Sequence, residues 1–95
     1  MYIHMFAFRF QPNVSEIQKR EIVDAIRSLP GQIPGMLETW VGINESPRGL
    51  GYELGGTMKF ADRAGFDKYV SHSAHAKLLS WLLPLVDPIE VDFAL

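Results

Sequence analysis

Three histidines are the side chains in this sequence best suited to moving a proton near neutral pH. An imidazole titrates in that range, so it can serve as a general base or a general acid. His4 lies in an aromatic segment near the beginning of the sequence, and His72 and His75 lie three residues apart further on. Two histidines at this spacing share a helix face and could bind a metal, but the spacing specifies no third ligand. We therefore expect no metal ion at this site.

Tyr69 and Asp92 could complete an acid–base set with His75. On one unbroken helix Tyr69 and His75 would lie on opposite sides, because they are six residues apart. A break at residues 71–73 would bring both to the mouth of a pocket, where the phenol could donate a hydrogen bond to a developing oxyanion. Asp92 alternates with apolar residues, so it could point toward the helices and orient an imidazole. Structural explanations remain open, since His4 could be a core histidine and Asp92 a solvated carboxylate.

The surrounding sequence predicts the strands and helices that must position these residues. Residues 2–10 are rich in aromatic side chains and apolar on both faces, which indicates a strand covered on both sides. Ser15, with Gln18 three residues later, forms a capping-box pattern that begins a helix. Gly55-Gly56 suggests a bulge, or the close approach of a ligand or another backbone. Further strands are expected at residues 36–43, 52–60 and 89–95. A second helix is expected before Pro84 and is broken near residues 71–73, so its two parts begin at separate N-caps, Asp62 and Ser73.

The order of these elements, β-α-β-β-α-β, predicts an α+β ferredoxin-like fold, in which a four-stranded antiparallel sheet carries both helices on one face. The helices cannot cover the other face, where Val91 and its alternate neighbours form an apolar row. An apolar face of this size would be an exposed patch in a monomer, so we predict a homodimer that packs sheet on sheet. The predicted pocket lies between the helices and the even-numbered face of the first strand. Its candidate lining residues are His4, Phe6, Phe8, Tyr69, His72 and His75.

Composition argues against several classes of function. The sequence has 95 residues, no cysteine and a formal net charge of −2, and we expect one domain over residues 1–95. The lack of cysteine excludes thiolate chemistry, and the lack of clustered lysine and arginine argues against nucleic-acid binding. No apolar run is long enough for a membrane helix, and no glycine-rich phosphate loop occurs. We expect a cytoplasmic protein that binds a small molecule and uses no cofactor, nucleic acid or membrane.

The sequence resembles the stress-responsive dimeric α/β-barrel (Dabb) domain family over nearly its whole length. The most specific segment runs from Tyr69 to His75, a Tyr-x-x-His-x-x-His pattern, and is followed near the end by Val91-Asp92-Phe93. The resemblance implies a homodimer whose two sheets form a barrel, with a pocket in each subunit between sheet and helices. Further similar segments are residues 4–10, 29–35, 41–42, 51–52 and 60–62.

The family includes plant olivetolic acid cyclase, which closes a linear poly-β-keto thioester by aldol condensation without a cofactor. By this resemblance, His75 would be the base that removes an α-proton, and Tyr69 would hold a carbonyl oxygen of the substrate. Asp92 would orient His75, and His4 would line the pocket. The resemblance implies a cyclase-like enzyme for a small apolar or aromatic carbonyl compound. The alternatives are a non-catalytic stress-responsive ligand-binding protein and a cofactor-independent monooxygenase.

Overall fold

A computed structural model describes residues 1–95 and confirms the predicted ferredoxin-like order. The four strands form one sheet in the order β2-β3-β1-β4, and each neighbouring pair is antiparallel. No helix of the structure has the length and apolar character needed to cross a membrane. The elements are β1 (Tyr2–Phe10), α1 (Glu16–Arg27), β2 (Met36–Ile43), β3 (Leu54–Phe60), α2 (Arg63–Ser71), α3 (Ser73–Leu82) and β4 (Val86–Ala94), with short 3-10 turns at Leu29–Gly31 and Leu83–Leu85.

Side-chain caps explain where the helices begin. The Ser15 hydroxyl accepts from the backbone N–H of Gln18 and the Gln18 side chain accepts from the backbone N–H of Ser15, which confirms the predicted capping box. Asp62 caps α2 as predicted. The predicted cap of α3 is wrong by one residue, because Ser73 is already helical and the His72 imidazole accepts from the backbone N–H of Ala74 at 3.0 Å.

The even-numbered face of β1 packs under the helices and carries the beginning of the site. Tyr2, His4, Phe6 and Phe8 on this face are all buried, and His4 is the single buried polar residue of the chain. Burial of aromatic side chains here is the main favourable contribution that this strand makes to folding. The rest of the core comes from β2, β3, the beginning of β4, the three helices and the turn after α1. Its least exposed members are Ile22, Ile26, Leu29, Ile33, Leu54, Met58, Phe60 and Leu82.

The opposite face of the sheet has no helix against it. Val91 on β4 lies directly across from Met5 on β1, and 53% and 41% of their surfaces are exposed. Because the side chains of a strand alternate, the odd-numbered residues of β4 share this face. The predicted apolar row is therefore present, and its exposed large members include Met5, Trp40, Ile89, Val91 and Phe93.

Gly56, in the glycine pair of β3, lies against an aromatic ring and not at the predicted bulge. The bulge lies in β2 instead, where the pairing shifts between Met36 and Glu38. A Cβ atom at Gly56 would stand 2.2 Å from Cζ of Phe6, whose ring lies over the Gly56 backbone from the neighbouring strand. Gly56 is therefore needed because an aromatic side chain of the same sheet occupies the space above it.

Candidate active site

A cavity opens between β1, β4 and the α2–α3 helix pair. Its outer chamber has a volume of about 360 Å³, and a narrower inner crevice of about 40 Å³ continues between the sheet and α3. The polar side chains line both parts, and the residues that line only the crevice are all apolar. The residues that line both parts are His4, Tyr69, His75, Leu79, Leu83, Pro88 and Glu90, and the crevice adds Phe6, Phe8, Ile26, Met58, Leu78, Leu82 and Val86.

His4 and Asp92 form a hydrogen-bonded pair at the back of the cavity. They are directly opposite each other on β1 and β4, and Nδ1 of His4 lies 2.5 Å from Oδ1 of Asp92. The carboxylate accepts the Nδ1–H, so the proton-accepting nitrogen of neutral His4 is Nε2. Only 4% of His4 is exposed, and its Nε2 has no hydrogen-bond partner in the protein. Because every fully buried polar side-chain atom has such a partner, Nε2 must be accessible from the cavity.

Tyr69, on α2, supplies an unpaired phenol to the same space. Its ring packs 5.4 Å from Phe60 and 6.1 Å from Phe66, centroid to centroid, and 4% of the residue is exposed. The hydroxyl has no hydrogen-bond partner in the protein. Every fully buried polar side-chain atom does have such a partner, so the Tyr69 hydroxyl must face the cavity. Burial raises the pKa of the Tyr69 phenol above its usual range, and the negative charges of Glu90 and Asp92 act in the same direction. Tyr69 is therefore a neutral hydrogen-bond donor.

His75 reaches the cavity because the helix breaks before it. α2 ends at Ser71 and α3 begins at Ser73, with His72 extended between them, as the predicted break requires. Nδ1 of His75 lies 3.0 Å from the carbonyl oxygen of Val70, and since a carbonyl only accepts, Nδ1 carries the proton. This leaves Nε2 as an acceptor, while the His75 and Tyr69 rings lie 4.3 Å apart between centroids.

Two sequence predictions about this site are wrong in detail. Asp92 does not orient His75, because strand register places it across from His4, while His75 is held by a backbone carbonyl of its own helix pair. His72 does not line the cavity, because its imidazole is turned back to cap α3. The predicted lining by His4, Phe6, Phe8, Tyr69 and His75 is present in the cavity walls.

Glu90 is a cavity residue that the sequence analysis missed. It lies opposite Phe6 on β1 and two residues before Asp92 on the same face of β4. The alternation of β4 is the signal that could have found it, because any strand face that carries Asp92 must also carry Glu90. The cavity wall therefore holds one carboxylate and two imidazoles, and contains neither lysine nor arginine.

The donor groups of the chain do not form a metal centre. No three His, Asp or Glu side chains are close enough together to hold a metal ion. His72 and His75, the pair with ligand-like spacing, are each engaged through Nδ1 with different backbone groups. Two imidazoles and a phenol can supply hydrogen bonding and proton transfer at this site.

This fold and site define a class of protein: a ferredoxin-like α+β domain with an aromatic, imidazole-bearing cavity between its sheet and its helices. Within that class, the chain belongs to the stress responsive A/B barrel (Dabb) domain family, which matches residues 3–95. No curated protein sequence matches the chain.

Solved structures from bacteria and a plant share the fold across the chain. A dimeric ferredoxin-like protein of unknown function from Thermobifida fusca is 25% identical, with a TM-score of 0.87 over 99% of this chain and 90% of that one. A hydroxynitrile lyase from Passiflora edulis is 17% identical, with a TM-score of 0.91 over 99% and 92% of the two chains. A cofactor-independent oxygenase, SnoaB from Streptomyces nogalater, is 10% identical, with a TM-score of 0.79 over 99% and 91%. Identities of 17% and 10% carry the fold alone, so chemistry must be argued from the residues of this chain.

Proposed function

We propose that this protein is a cofactor-free acid–base enzyme that removes a proton next to the carbonyl group of a small apolar or aromatic compound. The observation that carries the proposal is the convergence of three groups on one cavity: Nε2 of His4, Nε2 of His75 and the hydroxyl of Tyr69. A base held by a second group, beside a neutral donor, is the arrangement that general acid–base catalysis requires.

His75 is the general base in this proposal and Tyr69 stabilises the oxyanion. Nε2 of His75 takes the proton from the carbon next to the carbonyl. The C–H electron pair forms a C=C bond to the carbonyl carbon, and the C=O π pair moves onto the oxygen to give an enolate. The Tyr69 hydroxyl donates a hydrogen bond to that oxygen. In a substrate with a second carbonyl, the enolate carbon attacks it to form a C–C bond, and the His75 imidazolium returns its proton to the new alkoxide.

The His4–Asp92 pair provides a second proton-transfer group on the sheet side of the cavity. Asp92 fixes the tautomer and the ring orientation of His4, as a carboxylate does for a catalytic imidazole. His75 and His4 therefore approach a ligand from the helix side and the sheet side. We expect His4 to bind the second oxygen of the substrate rather than to start the reaction.

The shape of the cavity suggests the substrate class. The polar groups line both parts of the cavity, and the 360 Å³ of the outer chamber is in the size range of small-molecule sites. The inner crevice is closed by Phe6, Phe8 and leucines of α3, so it suits a short alkyl end. A compound with a carbonyl head and an apolar end fits this division.

We further infer that two chains associate through the uncovered sheet face. Met5, Trp40 and Val91 are each more than one third exposed there, which is a patch of the type that marks an interface. The Thermobifida fusca relative with the same fold is dimeric. A sheet-on-sheet contact should bury at least the ~1,000 Å² expected of a stable interface.

Exchange of α-protons tests the proposed chemistry without knowledge of the natural substrate. The probe is 4-phenyl-2-butanone in D₂O, and deuterium incorporation next to its carbonyl is followed by ¹H NMR. We expect His75→Ala to lower the protein-dependent exchange rate by about 10²-fold or more, the usual contribution of a positioned base. Tyr69→Phe should lower it less. His72→Asn is the matched control, because it removes a histidine outside the cavity and retains a side chain that can cap α3.

Two results would contradict the proposal. Exchange at the wild-type rate in His75→Ala would remove His75 from the role of base. Binding of the ketone, seen as shifts of the His4 and His75 ring resonances, without any exchange would favour the alternative in which the same cavity binds a ligand and catalyses nothing.

A further inference from the structure

Glu90 is the one charged side chain of the cavity wall that the proposed reaction does not use. It lines both the outer chamber and the inner crevice, and it forms no ion pair, whereas Asp92 on the same strand face is bonded to His4. Alternate residues of a strand lie about 7 Å apart, so Glu90 sits one such step from the His4–Asp92 pair. A ligand in the chamber would therefore meet a free carboxylate as well as the catalytic groups.

The surroundings of Glu90 provide no compensating cation. Neither lysine nor arginine lines the cavity. Arg63 already donates to the Asp67 carboxylate over 3.1 Å. That hydrogen bond is the main cause of its raised pKa, to which Asp92 contributes least. The negative charge of Glu90 is also felt within the cavity, since it contributes to raising the pKa of the buried Tyr69 phenol.

We infer that Glu90 selects the charge class of the ligand: the cavity takes uncharged compounds that carry a hydrogen-bond donor, such as a hydroxyl or phenol, and rejects carboxylates. An anion would lose water next to a carboxylate with no positive partner, which is unfavourable. A hydroxyl on the ligand could instead donate to Glu90 in a charge-assisted hydrogen bond. The inference rests on the proposed binding cavity and adds a specificity-determining residue to it.

A matched pair of ligands tests this selection. 4-Propylphenol and 4-propylbenzoate have the same apolar end, and at pH 7.5 the first is neutral and the second an anion. Binding is measured from the ring resonances of His4 and His75 in titrations followed by NMR. Because Glu90 is solvent-exposed, we discount the Coulomb repulsion and expect the phenol to bind about tenfold more tightly.

Two substitutions separate a local effect from an effect of net charge. Glu90→Gln should bring the two affinities to within about threefold, chiefly because the benzoate binds more tightly. Asp87→Asn removes the same charge from the same strand, but from the opposite face and next to Arg9. It should leave the tenfold preference unchanged.

The outcomes distinguish this inference from the proposed function. Equal affinities in the wild-type protein, or a preference that survives Glu90→Gln, would overturn the role of Glu90 while leaving the cavity as a binding site. A failure of both ligands to shift either histidine would overturn the cavity as a ligand site, and with it both the proposed function and this inference.

Discussion

The substitution Gly56→Ala tests whether the space above β3 is reserved for the Phe6 ring. The added methyl group would lie 2.2 Å from Cζ of Phe6, and ordinary contact begins at 3.4 Å, so the ring must move by roughly 1.2 Å. The Phe8 ring, 5.2 Å away between centroids, and the His4 ring, 5.7 Å away, limit movement along the strand. The direction left to the ring is into the inner crevice, whose volume is only about 40 Å³.

Two effects of opposite sign set the expected change in stability. Overpacking a core typically costs about 1–3 kcal/mol of stability. Replacing glycine by alanine stabilises the folded state by roughly 0.4–1 kcal/mol, because it lowers the conformational entropy of the unfolded chain. We expect the free energy of unfolding to fall by about 1–2 kcal/mol, measured by urea denaturation at a fixed protein concentration. The displaced Phe6 ring should also fill the crevice, so affinity for 4-propylphenol should fall about tenfold or more.

Two further variants define the result that would refute this reasoning. Gly31→Ala, where nothing lies within 4 Å of the added methyl, should be neutral or slightly stabilising. Phe6→Leu combined with Gly56→Ala should recover part of the lost stability, because a shorter side chain relieves the contact. A Gly56→Ala protein as stable as wild type and with unchanged affinity would show that Phe6 does not need the space above Gly56.

Three other predictions follow from the interface, the phenol and the helix junction. Val91→Lys should convert the proposed dimer to a monomer, as measured by light scattering after size exclusion, because it would place an unpaired charge against the proposed partner sheet; an unchanged mass would locate the interface elsewhere. Stability should fall as pH rises above about 10, because unfolded tyrosine ionises there while the buried Tyr69 phenol, with its raised pKa, stays protonated. Tyr69→Phe should flatten that decline, and an identical decline in both proteins would contradict the burial argument. His72→Ala should lower the free energy of unfolding by about 1 kcal/mol and His72→Asn by less, as followed by thermal unfolding, since asparagine can replace the lost cap; equal losses would argue against capping.

Local chemistry in the sequence was sufficient to predict the type and order of the elements, whereas β3 begins two residues later and β4 three residues earlier than predicted. Ser15 and Asp62 cap α1 and α2 because their side-chain oxygens can reach backbone N–H groups within the next turn, and that contact involves neighbours in sequence. The even-numbered face of β1 was likewise predicted to lie toward the helices, and its residues from Tyr2 to Phe8 are the buried ones. The cap patterns at Asp62 and Ser73 predicted the break between α2 and α3 that brings Tyr69 and His75 together, although His72 is the residue that caps α3.

Contacts between distant residues were decided only by the tertiary structure. Asp92 bonds to His4 rather than to His75 because β1 and β4 pair in one register, and no local pattern near either residue specifies that register. Gly56 accommodates the Phe6 ring for the same reason, across a pair of strands 50 residues apart in the chain. Strand register is set by the packing of a whole sheet face, which is a property of the assembled core. The sequence thus determined which groups were available for chemistry, and the sheet decided which of them meet.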